Sequence, residues 1–181
     1  MGRDARTPTL IVFGGLPGTG KTTLARALAR DLGATYLRID EIEQAIRDSG
    51  LNSEEVGVSG YRVGYALAES NLRLGAAVVA DSVNPLRITR LSWRSVAEKA
   101  SARIVEIEII CSDIVEHRRR VDSRHGDISG LLLPTWQQIT ERSYEEWDSD
   151  RIVIDTAHCS PEVASAQLSR AMAALGQRPG H

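Results

Sequence analysis

The stretch Gly15-Leu16-Pro17-Gly18-Thr19-Gly20-Lys21-Thr22 constrains this chain more than any other. It reads G-x-x-x-x-G-K-[ST], the phosphate-binding P-loop. The motif carries meaning only between a strand and a helix. Leu10-Ile11-Val12-Phe13 before it reads as a short buried strand. After it, Leu24, Leu28 and Leu32 fall on one helical stripe. Glycines let backbone N–H groups converge on phosphate oxygens, and the helix N-terminus adds partial positive charge. Gly15 through Thr23 is therefore the expected ATP-binding segment. Lys21 is expected to reach the β- and γ-phosphates, and the Thr22 hydroxyl to ligate Mg²⁺.

A chain of 181 residues with 42% hydrophobic content suits one domain, 1–181, with a good-sized core. The net charge of −2 supplies no overall basic field for long nucleic acid. Cys111 and Cys159 form no CxxC pair, and free thiols in a reducing cytoplasm account for them. No apolar run approaches the ~20 residues of a membrane span. Met1–Pro8 lacks a signal-peptide core and reads as a loose arm, as does the tail Gln177–His181. The expected location is cytoplasmic, away from membranes.

Along the chain, strands alternate with helices. Thr9–Phe13 reads as strand one, Lys21–Leu32 as helix one ended by Gly33, and Ala34–Ile39 as strand two. Asp40–Asp48 reads as a helix and Leu51–Ser59 as a polar, mobile loop. Tyr61–Leu74 is helical, and Ala76–Ala80 is an apolar third strand suited to a parallel sheet. A loop with Asn84-Pro85 leads to a helix over Ile88–Ser101. Arg103–Ile110 alternates Val105, Ile107 and Ile109 with Glu106 and Glu108, predicting a partly wet face. Asp113–Ser123 opens on a capping box, Arg124–Leu133 is irregular, and Thr135–Trp147 reads as a helix with Gln138 as capping partner. Arg151–Ile154 is strand five, and Ser160-Pro161-Glu162 opens a last helix. The expected fold is α/β, a three-layer P-loop NTPase fold with a five-stranded parallel sheet, helices on both faces and a small lid at 124–133. Ligands in such folds bind at the carboxyl ends of the strands, where the P-loop, Asp40, Asp81–Asn84, Cys111 and Asp155 fall.

Asp40 ends strand two and can face the γ-phosphate as a general base, or simply cap the next helix with Glu43 as capping-box partner. Asp81 ends strand three, where a carboxylate holds Mg²⁺ through water, or else closes a turn. Asn84 either presents its amide to the substrate or serves as an N-cap with Pro85 following. Arg120 and Arg124 share a helix face, where an anion between them would offset their repulsion. Glu116–Arg120 and Arg118–Asp122 are expected pairs, which leaves Arg119 and Arg124 for a lid that brings arginine onto the transferring phosphate. Tyr61 and Tyr65 share a face, more suited to core than to a substrate pocket. Trp93, Trp136 and Trp147 read as packing residues on helices, and the four histidines show no metal-ligand spacing.

Gly15–Thr23, Tyr36-Leu37-Arg38-Ile39-Asp40, Val78 through Pro85 and the arginine helix together resemble P-loop kinases of the polynucleotide 5′-kinase type. The wider AAA-type ATP-binding kinase-like group includes zeta toxins, chloramphenicol phosphotransferase, gluconate kinase and adenylylsulfate kinase. The resemblance spans roughly Thr9 to Thr156. It implies Asp40 as general base, Arg124 and Arg120 as phosphate-engaging lid arginines, and Arg38, Asp81 and Asn84 beside the acceptor. Polynucleotide kinases of this type often carry a second catalytic domain or a basic channel, and this sequence shows neither.

The function these features imply is transfer of the γ-phosphoryl group of Mg·ATP to a hydroxyl of a small molecule. A polynucleotide or RNA 5′-hydroxyl kinase is a second acceptor class. A P-loop ATPase working as a partner-binding switch is a third reading. Against the switch, Asp81 is followed by Ser82, so the Asp-Glu pair that activates water is missing.

Overall fold

A computed structural model describes residues 7–50 and 56–176. The elements in chain order are β1 (Thr9–Gly14), α1 (Lys21–Leu32), β2 (Thr35–Arg38), α2 (Ile39–Asp48), α3 (Val56–Arg73) and β3 (Val78–Asp81). They continue with α4 (Arg87–Lys99), β4 (Arg103–Ile110), α5 (Ile114–Ser123), α6 (Trp136–Thr140), β5 (Ile152–Asp155) and α7 (Pro161–Gly176). The strands form one parallel sheet in the order β2-β3-β1-β4-β5. The chain winds outward from β1 to β2, returns through β3, and then crosses to β4 and β5. That reversal opens the ligand crevice beside the carboxyl end of β1. Register brings Phe13, Asp81 and Arg38 level across three strand ends.

Both faces of the sheet are covered, which is why β1 and β3 are almost continuously apolar. Ile11, Phe13, Val79, Val105, Ile107 and Ile109 pack on one side against Leu24, Ala25 and Leu28 of α1 and Ala164 and Leu168 of α7. Leu10, Val12, Val78 and Ala80 pack on the other against Ala68 and Leu72 of α3 and Trp93, Val96 and Ala97 of α4. The three-layer α/β architecture expected from the alternation is the one observed. No helix among the described residues is long and apolar enough to cross a membrane.

Several expectations are corrected. Leu32 leaves the α1 stripe and is half exposed. The loop expected over Leu51–Ser59 is already helical from Val56, and 51–55 lie outside the described residues, as do most of the arm at Met1–Pro8 and the tail. The charged face of β4 is dry: Glu106 and Glu108 are buried. Arg94 and Ser149 bond Glu106, while Arg151 and Tyr144 bond Glu108, so paired charge replaces water there. The helix expected over Thr135–Trp147 closes its capping box at Thr135 and Gln138 but stops at Thr140. Beyond it the backbone is committed elsewhere. Glu145 donates its N–H to the Pro85 carbonyl, and the buried Arg90 takes the carbonyls of Glu145 and Glu146. Trp147 therefore lies off any helix, under the guanidinium of Arg90 at 4.9 Å.

Candidate functional site

The P-loop follows β1 directly and ends in the first turn of α1. Gly15 has φ +133°, and a Cβ there would come within 2.2 Å of the Ile109 carbonyl oxygen. Gly18 has φ +87°, and its Cβ would strike Val121 of α5 at 2.6 Å. Glycine is thus required by conformation and by contact alike. The Thr19 hydroxyl donates to the Leu16 carbonyl at 2.9 Å and shapes the loop from within. Gly15 and Thr19 are buried behind it, whereas Pro17, Gly18, Gly20, Lys21, Thr22 and Thr23 line the ligand side. One contact was invisible in the sequence. His117 of α5 is buried, with Nε2 2.8 Å from the Pro17 carbonyl oxygen and its ring edge-on to Trp136. The sequence offered only a lone histidine beside Arg118, Arg119 and Arg120.

Lys21 lies in the first turn of α1 with Nζ 3.4 Å from the Asp81 carboxylate, and both side chains are buried. The Tyr36 hydroxyl donates to the other Asp81 oxygen at 2.7 Å. Burial, then the charge of Asp81, pushes the Tyr36 phenol well above its ordinary value. Among the described residues no group of three or more His, Cys, Asp or Glu could hold a metal ion. Mg²⁺ in nucleotide sites needs only one or two protein oxygens besides phosphates and water. Half-buried Thr22 lines the cavity and offers one such oxygen. Asp81 lies outside the cavity wall with its two oxygens on Lys21 and Tyr36, so its carboxylate fits that donor set only once Lys21 moves off it.

A cavity of about 710 Å³ opens beyond the P-loop. Asp40 lines it, and so do Arg38, Glu43, Tyr61, Arg124 and Asp127. Asp40 is not a helix cap. Helix α2 begins at Ile39 with Arg38 in the N-cap position and no side-chain cap, so the expected capping box is absent. Glu43, assigned to that box, instead stands one turn along on the same face as Asp40. Burial, with the Asp40 charge second, pushes the Glu43 carboxyl up to about 7 against the pull of Arg47. The i, i+3 spacing of the two carboxylates was the signal that could have marked Glu43 as a site residue.

The segment after α5 forms the cavity roof with Arg124, His125, Asp127 and Leu131 to Pro134. Arg124 donates to the Pro134 carbonyl at 2.9 Å, and its buried Nε has no partner. Burial lowers its pKa from the ordinary arginine value, opposed by the Asp40 carboxylate. Arg120 does not join it. Its guanidinium is bound to Glu116 and to the hydroxyl and carbonyl oxygens of Thr156, and it lines a separate cavity of about 270 Å³. Arg118 pairs with Asp122 as expected, and Arg119, expected to be spare, grips Glu116 through two nitrogens. Asp113 caps α5, but with Glu116 taken by the arginines the capping box stays half made.

Asn84 is neither N-cap nor cavity wall. Helix α4 is entered through Leu86, and Asn84 is fully buried at φ +52° with no partner for its side-chain amide. Its backbone N–H donates to the Tyr61 hydroxyl at 3.0 Å. Tyr61 lines the large cavity, while Tyr65 packs edge-on against Trp93 in the core.

The sequence matches the family described as AAA domain over residues 10–145. It is 39% identical over 171 residues to an uncharacterised protein of Mycobacterium tuberculosis, covering 83% of this chain and 32% of that protein. The chain thus spans about a third of the length of the curated relatives it matches. Among solved structures, it resembles the Mycobacterium tuberculosis APS kinase CysC in complex with AMPPNP and APS, with TM-score 0.70, 19% identity, and 94% and 99% of the two chains covered. It also resembles Chaetomium thermophilum Kti12 in complex with ADP-AlF3, with TM-score 0.66, 22% identity, and coverage of 91% and 97%. At those identities the likeness is one of fold.

Proposed function

This chain belongs to the AAA domain family of P-loop kinase-like proteins, and from that premise we propose that it transfers the γ-phosphoryl group of Mg·ATP to a hydroxyl of a small-molecule acceptor. One observation carries the reading. Asp40, Lys21, Thr22 and Arg124 line a single cavity at the ligand side of the P-loop, under one roof segment. The adenine ring of ATP takes the smaller cavity, bounded by Arg120, Thr156 and Pro161, which shares Gly20 and Thr23 with the larger one. The phosphates lie along the P-loop between the two, and the acceptor takes the remainder of the large cavity.

In this reading Lys21 leaves Asp81 for the phosphates, and Asp81 keeps the Tyr36 hydroxyl. Mg²⁺, held by Thr22 and Asp81, would neutralise phosphate charge. Asp40 accepts the proton of the attacking hydroxyl, and Arg124 follows the roof onto the transferring group. Such catalysis is mainly positioning and electrostatic stabilisation.

The test is ATP turnover by the purified chain, alone and with panels of alcohols, nucleosides, antibiotics and 5′-hydroxyl oligonucleotides. The expected outcome is near-idle turnover alone and stoichiometric phosphorylation of one small-molecule class. Vigorous hydrolysis with no acceptor would favour a switch ATPase instead, and selective labelling of oligonucleotides would favour a polynucleotide kinase.

A further inference from the structure

Arg38 ends β2, faces the large cavity and is only 8% exposed. A guanidinium buried to that degree requires a counter-charge. Its bidentate partner comes from the roof: Nη1 lies 2.7 Å and Nη2 3.0 Å from the two carboxylate oxygens of Asp127. Arg26 of α1 reaches the same carboxylate at 2.9 Å. Asp127 itself is 46% exposed and belongs to a segment without helix or strand. Hydrogen bonding from Arg38, first of its causes, holds the Asp127 carboxyl down at about 2, so it stays charged. The Arg38 Nε remains buried without a hydrogen-bond partner, 4.0 Å from Asp40. Arg142, which lines the same cavity, forms no ion pair among the described residues.

The arrangement is a planar fork, buried on the fixed sheet, whose matching oxyanion sits on a surface segment. If the roof rises to admit an acceptor, the fork loses its one bidentate partner and keeps only Glu41 at 3.5 Å from Nη1 and Asp40 at 4.0 Å from Nε, neither of which spans both Nη atoms. An oxyanion on the incoming molecule restores that pairing with the same two-point geometry. We infer that the Arg38 guanidinium is the recognition site for an anionic group on the acceptor, that Asp127 covers it until the acceptor arrives, and that the acceptor therefore carries a carboxylate, phosphate or sulfate besides its hydroxyl. The hydroxyl rests on the kinase reading; the oxyanion site does not. Binding exchanges one oxyanion for another on the same fork, so roof release and acceptor capture are a single event.

The experiment keeps the P-loop filled. Acetate, sulfate and inorganic phosphate are titrated into Mg·AMPPNP-saturated wild type, Asp127→Asn and Arg38→Gln, following the arginine Nε–H signals by NMR. Asp127→Asn alters an exposed side chain and is expected to bind one of these anions about tenfold tighter than wild type. Arg38→Gln is expected to lose that binding. The acetate arm against the sulfate and phosphate arms tells a carboxylate-bearing from a tetrahedral-anion-bearing acceptor. Wild-type anion affinity in Asp127→Asn would overturn the inference, because Asp127 would then be a permanent strut. Tight anion binding that survives Arg38→Gln would overturn it too. Failure of wild type to bind Mg·AMPPNP would instead strike the kinase reading.

Discussion

Two carboxylates on one helix face carry opposite predictions. Asp40 lies inside the first turn of α2, caps nothing and is 40% exposed. Asp40→Asn should leave stability within about 0.5 kcal/mol, as surface substitutions do. It should slow phosphoryl transfer by about 10²–10⁴, the usual contribution of a positioned general base. A loose transition state asks for little proton transfer and places the effect at the lower end. Melts and single-turnover kinetics on the same protein decide it, and an unchanged rate would strip Asp40 of the base role. Glu43 is only 17% exposed, and its carboxyl titrates at about 7 instead of its ordinary 4.5. Between those values the folded state keeps a proton that the unfolded chain has released. Stability from this group is therefore full below about 4.5 and lost as pH rises through 7. Glu43→Gln has no charge to bury, so it should exceed wild type by about 1–3 kcal/mol at pH 8 and match it near pH 4.5. A stability difference that does not change with pH would refute the shift.

At the scale of elements, α5 and the roof form one lever. His117 and Val121 press α5 onto Pro17 and Gly18 of the P-loop. The same helix leads straight into Arg124 and the roof. The roof backbone over 124–133 has little internal bonding beyond Leu131 N–H to the Ile128 carbonyl. It is held down by Asp127 on Arg38 and Arg26. Its amides should exchange quickly in the nucleotide-free protein and about tenfold or more slowly with Mg·AMPPNP. Hydrogen exchange measured peptide by peptide checks this, and equal protection in both states would mean that the segment is not a lid.

At the scale of the molecule, the strand order does the gathering. Only because β3 lies between β1 and β2 does Asp81 stand between Lys21 on one side and Tyr36 on the other. The segment beyond α6 gives up helix to seal Glu106 and Glu108 against the sheet and to supply carbonyls for Arg90. These arrangements satisfy buried charge, which no local pattern specifies.

The division between the two levels follows from range. The P-loop, the alternation of strands and helices, the Gly33 terminus and the caps at Asp113, Thr135 and Ser160 depend on residues within a turn or two. Short-range sterics and hydrogen bonding write those into the sequence, and they sufficed for the fold and for the placement of the glycine loop between β1 and α1. Asp40 could be placed at a strand end but not told from a cap, because that turns on a one-residue shift in where α2 starts. The partners of the charged groups were decided only by tertiary structure. Arg38 meets Asp127 across 89 residues, and His117 meets Pro17 across 100. Arg120 and Arg124, four residues apart, part company because one lies on α5 against Thr156 and the other lies past its end under the roof. A charged side chain has many possible partners along a chain. The sheet order and the burial it imposes select one.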